Sequence, residues 1–150
     1  MPQSLANIHI HLIFSTKDRM PLISDAVRDD LHAYMATILA NLKSPATLIN
    51  SVEDHIHILL NLSRTCPLAK AVEDVKRDSS KWLKTQGPAF SGFAWQAGYG
   101  AFSVSESNCG AVANYIRNQR EHHRKITFQD ELRTFLDKHQ LSYDEKYLWD

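Results

Sequence analysis

The sequence has little cysteine, no long apolar run and no net charge. Only two cysteines occur, Cys66 and Cys109, and neither belongs to a CxxC pair. A disulfide framework and a thiolate zinc site are therefore not indicated, and we interpret both cysteines as reduced structural residues. No apolar run approaches the roughly 18 residues that suggest a membrane span, so no membrane association is expected. The composition, 43% apolar and 23% charged, is typical of a soluble globular protein.

The 17 basic and 17 acidic residues cancel, so the formal net charge is zero. This balance argues against a protein that binds duplex nucleic acid mainly through a diffuse positive field. The charges are unevenly distributed, however, because residues 64–84 contain more basic than acidic residues and the acidic residues after Gln129 compensate. A local basic surface is therefore compatible with zero net charge, the alternative being ordinary solvated helix faces.

The chain of 150 residues has the size of one ordinary domain, and we expect a single domain over residues 1–150. No internal repeat or low-complexity linker divides it. The first residues, MPQSL, do not form a basic segment followed by an apolar one, so we expect no signal peptide. The protein is expected to be cytoplasmic.

Periodicity predicts the order strand, helix, strand, strand, helix, strand, helix, helix. The predicted strands lie at residues 7–15, 46–52, 55–60 and 99–104. The predicted helices lie at about residues 25–42 and 68–83, after a cap at Ser105 or Ser107, and at about residues 128–139. A β-α-β-β-α-β order predicts an α+β, ferredoxin-like (RRM-like) antiparallel sheet with both of its helices on one face. The other face is left for function, and an added C-terminal helix can lie there.

The central motif is DHIHILL at residues 54–60, in which two histidines share one strand. Side chains alternate along a strand, so His55 and His57 point the same way, on the order of 7 Å apart. They are close enough to chelate one ion. The first strand contains the same pattern in His9 and His11, and spacing alone does not choose between the pairs. If the first and third strands are neighbours, one histidine pair could border the other. The alternative to a metal site is that the histidines simply lie on a partly wet sheet face.

Tyr115 and Gln119 lie four residues apart, and in one helix they would share a face. A tyrosine beside a metal-bound phosphate can act as a nucleophile. Two histidines and an amide oxygen form an incomplete nitrogen and oxygen shell, which suits Mg²⁺ or Mn²⁺ with phosphate better than structural zinc. The alternative is a tyrosine at a helix boundary and a surface amide. The adjacent His122 and His123 are interpreted as phosphate contacts or as solvated residues.

Five blocks in order resemble the single-tyrosine HUH transposases and their domesticated relatives at repetitive extragenic palindromes. These small enzymes move certain bacterial insertion sequences as single-stranded DNA. The blocks are HLIFSTKDR at 11–19, DHIHIL at 54–59, SSKW at 79–82, WQAGYGAFSV at 95–104 and YIRNQREHH at 115–123. They span nearly the whole chain, and their order is far more specific than one His-x-His motif.

The resemblance implies that His55 and His57 are the metal pair, Gln119 the third ligand and Tyr115 the nucleophile. It implies that His9 is not one of the metal ligands. His11 lies in a block that the family shares but does not use as a ligand. Family members cleave single-stranded DNA to a 5′-phosphotyrosine and a free 3′-hydroxyl, and they recognise imperfect hairpins at element ends. They work as homodimers in which the tyrosine helix of one subunit serves the histidines of the other.

The leading hypothesis is therefore a DNA transposase that cleaves and rejoins single-stranded DNA with Mg²⁺ or Mn²⁺. Alternatives are a domesticated repeat-associated nickase, a non-catalytic regulator that binds DNA hairpins, and a metal-dependent hydrolase. The predicted phosphate contacts are Lys76, Arg77, Lys81 and Lys84, followed by Lys17 and Arg19.

Overall fold

The structure is a computed structural model that describes residues 2–123 and 125–150. The strands are β1 (His9–Ser15), β2 (Ala46–Ser51), β3 (His55–Asn61) and β4 (Gly100–Val104). The helices are α1 (Asp25–Asn41), α2 (Leu68–Lys84), α3 (Cys109–Arg117), α4 (Gln119–His123), α5 (Phe128–Lys138) and α6 (Glu145–Leu148). Within the described residues, none of the helices combines the length and the apolar character needed to cross a membrane.

The four strands form one antiparallel sheet in the order β2-β3-β1-β4. The last strand, β4, follows the second helix and pairs with β1, which gives the strand order of a β-α-β-β-α-β fold. The predicted ferredoxin-like α+β fold is therefore confirmed. The register places Ile13 opposite His57 and Ser15 opposite His55. The first and third strands are therefore neighbours, as the hypothesis of bordering histidine pairs requires.

One face of the sheet carries the main core. The alternating residues Ile10, Leu12 and Phe14 of β1 are buried there against α1 and α2. The same cluster includes the β3 residues that alternate with the histidines, namely Ile56, Ile58 and Leu60. Apolar burial on this face thus fixes the register, and a slip by one residue would move the histidines into the core.

The opposite face of the sheet is covered by α3 and α5. Ala113 and Ile116 of α3 pack on Leu59 of β3. An apolar stripe of α5 packs on Ile13 of β1 and Phe102 of β4. Both helices therefore lie over the face to which the β3 histidines point, which positions their polar side chains around that motif.

The prediction that Tyr115 and Gln119 share one helix is wrong. The helix ends at Arg117, Asn118 has φ −95° and ψ 24°, and α4 starts at Gln119. Asn50 of β2 accounts for the break, because its Nδ2 donates to the carbonyl of Ile116 at 2.8 Å. A terminal carbonyl is thus satisfied by a side chain. Asn50 is paired with His57 in the sheet register, so the same contact ties the end of α3 to the histidine strand.

A second difference lies at the start of α3. Neither Ser105 nor Ser107 caps it, because a 3₁₀ turn at Glu106–Asn108 precedes the helix and Asn108 occupies the cap position. The cap residue makes no side-chain hydrogen bond to the helix. The anchoring of α3 therefore comes from its packing on β3 and from Asn50 rather than from its first turn.

We expect His32 to make the folding stability depend on pH. Its Nε2 lies 2.8 Å from the Ser51 hydroxyl, and burial lowers the pKa of His32 from 6.5 to about 4. Between these two pKa values the unfolded chain binds more protons, so stability present above pH 6.5 is lost as the pH falls toward 4. Urea unfolding should show that the free energy of unfolding falls between pH 7 and pH 4.5 by roughly 1–2 kcal/mol more in wild type than in His32→Gln. Equal losses would contradict this assignment.

Candidate active site

The β3 histidines are fully buried beneath the helices of the second face. His55 and His57 have no exposed surface, and their ring centroids lie 5.4 Å apart. The rings lie closer together than the roughly 7 Å expected from the strand repeat. Both rings direct Nε2 toward the same group, the Glu131 carboxylate, at 3.5 Å for His55 and 2.9 Å for His57.

The Nδ1 atoms of both rings are held by other side chains. Asp54 Oδ1 lies 2.7 Å from Nδ1 of His55, and His11 Nε2 lies 2.8 Å from Nδ1 of His57. Partners of this kind fix the tautomer and orientation of a metal-binding imidazole. His11 is thus an orienting residue at the border between the two His-x-His pairs.

The protonation of these histidines follows from burial and from their partners. Burial lowers the pKa of His57 to about 4, and burial and the nearby His57 lower the pKa of His11 to about 3. Burial also lowers the pKa of His55, but hydrogen bonds with Asp54 and Glu131 outweigh it and the pKa is raised. A neutral His57 can bind a metal through Nε2 when its ring proton is on Nδ1, whereas metal binding at His55 competes with a proton.

Gln119 and His123 lie four residues apart on α4, and His123 links Gln119 to the paired histidines. His123 Nε2 lies 2.9 Å from His55 Nε2 and 3.0 Å from Gln119 Oε1. Gln119 is fully buried, so its amide is not a surface group. His123 was interpreted from the sequence only as a phosphate contact or a solvated residue, and its spacing from Gln119 was the available signal. The side chain of His122 lies outside the described part of the chain.

Glu131 is the site residue that sequence reasoning missed. The sequence pattern assigns it to a compensating acidic tail, but only 1% of its surface is exposed and α5 places it among three histidines. The available signal was its helical spacing, because Glu131 falls on the same stripe as Phe128, Leu132 and Phe135. Burial raises the pKa of Glu131, but hydrogen bonds from the histidines outweigh it and leave the pKa lowered. The carboxylate is therefore charged.

Tyr115 completes the cluster from α3. Its hydroxyl donates to Oε2 of Glu131, and its ring centroid lies 6.0 Å from that of His57. Burial and the charge of Glu131 raise the pKa of Tyr115, so the phenol is protonated. The tyrosine therefore lies beside the histidines of its own chain.

The donors present fit a divalent metal. One ligand atom each of His55, His57, His123 and Glu131 lies within 4.8 Å of all the others. With the Gln119 oxygen nearby, the set combines imidazole nitrogens with carboxylate and amide oxygens. Such mixed sets suit Mn²⁺ and related ions, and they leave positions for substrate oxygens.

Two clefts lead from the surface to this cluster. One, of about 490 Å³, lies between α3 and α5 and is lined by Tyr115, Glu131 and His11. The other, of about 550 Å³, is lined by His123 and Asp54 together with Arg19 and Lys125. Tyr115 and His123 thus line different clefts.

Most of the predicted phosphate contacts lie away from the histidines, because α2 packs on the opposite face of the sheet. Lys76, Arg77 and Lys84 line a separate groove of about 490 Å³ between α2 and the segment 93–99. Lys81 is exposed on the same helix. Of the residues predicted second, Lys17 is exposed and Arg19 lines the cleft that reaches His123.

Lys76 and Arg77 are already engaged within the protein. The Lys76 ammonium donates to the carbonyls of Gln96 and Gly98 at 2.8 and 2.6 Å, and burial lowers the pKa of Lys76 to about 8. Arg77 donates to Asp78 at 3.0 Å. Lys76 thus holds a loop, and the freer cations on this helix are Lys81 and Lys84.

The first His-x-His pair is divided between two environments. His9 contacts Glu106 near the start of α3, away from the buried cluster, while His11 supports His57. The two cysteines, Cys66 and Cys109, are free thiols, as expected.

Fold and site together define a protein of the single-tyrosine HUH class. The sequence matches the family described as "Transposase IS200 like" over residues 4–119, and the chain belongs to this family. No curated protein is significantly similar in sequence.

Two transposases are among the solved structures that share the fold. One is a proposed transposase from Deinococcus radiodurans R1, at 24% identity and a TM-score of 0.62, with 79% of this chain and 98% of that chain covered. The other is a REP-associated tyrosine transposase bound to a REP hairpin, at 10% identity and a TM-score of 0.61. That match covers 84% of this chain and 76% of the other.

Proposed function

We propose that this transposase cleaves and rejoins single-stranded DNA through a 5′-phosphotyrosine on Tyr115, with Mg²⁺ or Mn²⁺ held by His55, His57 and Gln119. The observation that carries the proposal is the position of the Tyr115 hydroxyl, which shares one buried carboxylate partner with Nε2 of both β3 histidines. When bound there, a divalent metal supplies Lewis-acid stabilisation of charge on the phosphate oxygens.

The chemistry of Tyr115 conserves the phosphodiester energy. Its oxygen forms a bond to phosphorus and loses a proton, while the bond from phosphorus to the 3′ oxygen breaks and that oxygen ends as a hydroxyl with one proton. Attack by a 3′-hydroxyl on the phosphotyrosine reverses the step without an external energy source. A covalent intermediate of this kind suits strand exchange better than hydrolysis does.

We further propose that the DNA partner is a hairpin at the ends of a mobile element. Support comes from the similar REP-associated protein, whose structure contains a REP hairpin. The groove beside α2 offers Lys84 together with Tyr99, which is 41% exposed, and a cation beside an aromatic ring suits nucleic acid. Arg19 and Lys125 line the cleft that reaches His123, which supports phosphate contacts nearer the histidines.

A homodimer is a further part of the proposal, and the family resemblance implies that the tyrosine acts in trans. In this structure, Tyr115 and the two β3 histidines come together within one chain. One chain therefore contains every proposed catalytic group, and exchange of α3 between subunits would have to preserve the same contacts.

The proposal predicts a metal-dependent protein–DNA adduct. Labelled single-stranded oligonucleotides copied from both strands of the DNA flanking the gene would be incubated with the protein and Mg²⁺ or Mn²⁺. A denaturing gel should show a labelled band at the mass of protein plus DNA, and excess EDTA should reduce that band at least about 100-fold. Cleavage without the band would favour a metal-dependent hydrolase. Binding with neither cleavage nor adduct would favour a regulator that binds hairpins.

A further inference from the structure

Glu131 occupies the centre of the candidate metal site but lies outside the segment that defines the family. The family match ends at residue 119, whereas Glu131 is on α5. Its side chain is 1% exposed, and its two carboxylate oxygens have different partners. Oε1 faces the imidazoles of His55, His57 and His123, and Oε2 accepts from the Tyr115 hydroxyl.

The spacings around Oε1 are those of ligands that share one ion. Ligand atoms about 2.1 Å from an ion lie roughly 3.0–3.4 Å from their neighbours in octahedral or tetrahedral geometry. Here Oε1 lies 2.9 Å from His57 Nε2, 3.2 Å from His123 Nε2 and 3.5 Å from His55 Nε2. The carboxylate therefore needs only a small displacement to bind the same ion as the histidines.

The hydrogen-bond partners of the histidine Nδ1 atoms are also those expected around metal ligands. Asp54 and His11 hold the Nδ1 atoms of the β3 histidines, which leaves both Nε2 atoms directed at the Glu131 carboxylate. Burying a carboxylate is costly unless charge and hydrogen bonds compensate. A divalent cation would supply that compensation directly, whereas hydrogen bonds from the imidazoles and the Tyr115 hydroxyl supply it only in part.

We propose that Glu131 is a protein ligand of the divalent metal, joining His55 and His57 through Oε1 while Oε2 holds the Tyr115 hydroxyl beside the ion. This inference rests on the proposed function, and it adds an anionic ligand to the neutral set that the family resemblance implies. One carboxylate therefore couples metal binding on β3 to the position of the nucleophile on α3. A substitution at Glu131 should consequently affect the metal site before any DNA is present.

The test is Mn²⁺ binding to the DNA-free full-length protein, measured by isothermal titration calorimetry. Glu131→Gln keeps the shape of the side chain and removes its charge, and we expect it to weaken Mn²⁺ binding by about 100-fold or more. The matched control is Asp137→Asn, which removes one charge from an exposed position of the same helix. This control should bind Mn²⁺ within about twofold of wild type.

A second measurement covers the case in which Glu131→Gln fails to fold. In wild-type crystals soaked in MnCl₂, the anomalous peak should lie within about 2.3 Å of a Glu131 carboxylate oxygen. Two results would overturn the inference and leave the proposed function standing. One is an anomalous peak beside the histidines but not beside Glu131. The other is unchanged Mn²⁺ affinity in folded Glu131→Gln while His57→Ala loses Mn²⁺ binding. Failure of wild type to bind Mn²⁺ would overturn both.

Discussion

Replacing Tyr115 with phenylalanine is expected to abolish the covalent protein–DNA adduct while DNA binding changes by less than about threefold. The hydroxyl is the group that forms the bond to phosphorus, so its removal should reduce the adduct by at least about 10³-fold, to the detection limit. The ring should stay in place, because it packs edge-on against Phe135 at 5.5 Å and His11 at 6.3 Å. The measurements are a denaturing gel for the adduct and a mobility shift for binding.

The matched control for this variant is Tyr147→Phe. Tyr147 is 61% exposed on the short α6, and removal of its hydroxyl should leave the adduct unchanged. Loss of the Tyr115 hydrogen bond to Glu131 should cost about 1–3 kcal/mol of folding free energy, so circular dichroism must show both variants folded at the assay temperature. Full adduct formation by folded Tyr115→Phe would remove Tyr115 as the nucleophile and require another tyrosine.

The sheet and the paired histidines could be predicted because they depend on local periodicity. Alternation along β1 and β3 assigns every second residue to the core, so the faces of His55 and His57 follow from the apolar residues between them. The choice between the two His-x-His pairs needed the family resemblance. In the structure the difference is physical, since His9 lies beside Glu106 while His57 lies beneath α5.

The remaining parts of the site depend on contacts between residues far apart in sequence. The break after Arg117 follows from the Asn50 hydrogen bond, which no helical pattern in residues 109–123 reveals. Glu131 was missed because a single carboxylate in an acidic segment has the composition of a solvated surface.

The predicted basic surface shows a different limit of sequence reasoning. Charge density identifies α2 as basic, but it does not say which sheet face the helix covers. The sheet separates Lys81 and Lys84 from the histidines, whereas Arg19, on the turn after β1, lines a cleft that reaches His123. If DNA binds as proposed, phosphates near the reaction and phosphates of a hairpin stem would therefore meet different parts of the protein.

Replacing His57 with alanine is expected to remove both metal binding and cleavage. His57 is buried, its Nε2 lies 2.9 Å from Glu131 and its Nδ1 is held by His11. The substitution deletes one proposed metal ligand and removes a hydrogen-bond partner of a second, Glu131. The Mn²⁺ affinity should therefore fall by about 100-fold or more, and the DNA adduct should disappear. It also leaves part of a buried carboxylate unpaired, which should cost roughly 2–4 kcal/mol of folding free energy.

The informative control for His57→Ala is His9→Ala, because it removes a histidine from the other His-x-His pair. His9 contacts the exposed Glu106, so this variant should keep its Mn²⁺ affinity within about twofold and retain the adduct. Calorimetry with Mn²⁺ and the denaturing gel, run on protein shown to be folded, measure both effects. If folded His57→Ala still cleaved fully while His9→Ala did not, the metal would have to lie at the β1 pair. In that case the cluster around Glu131 would be a buried ion pair that serves only to dock α5 on the sheet.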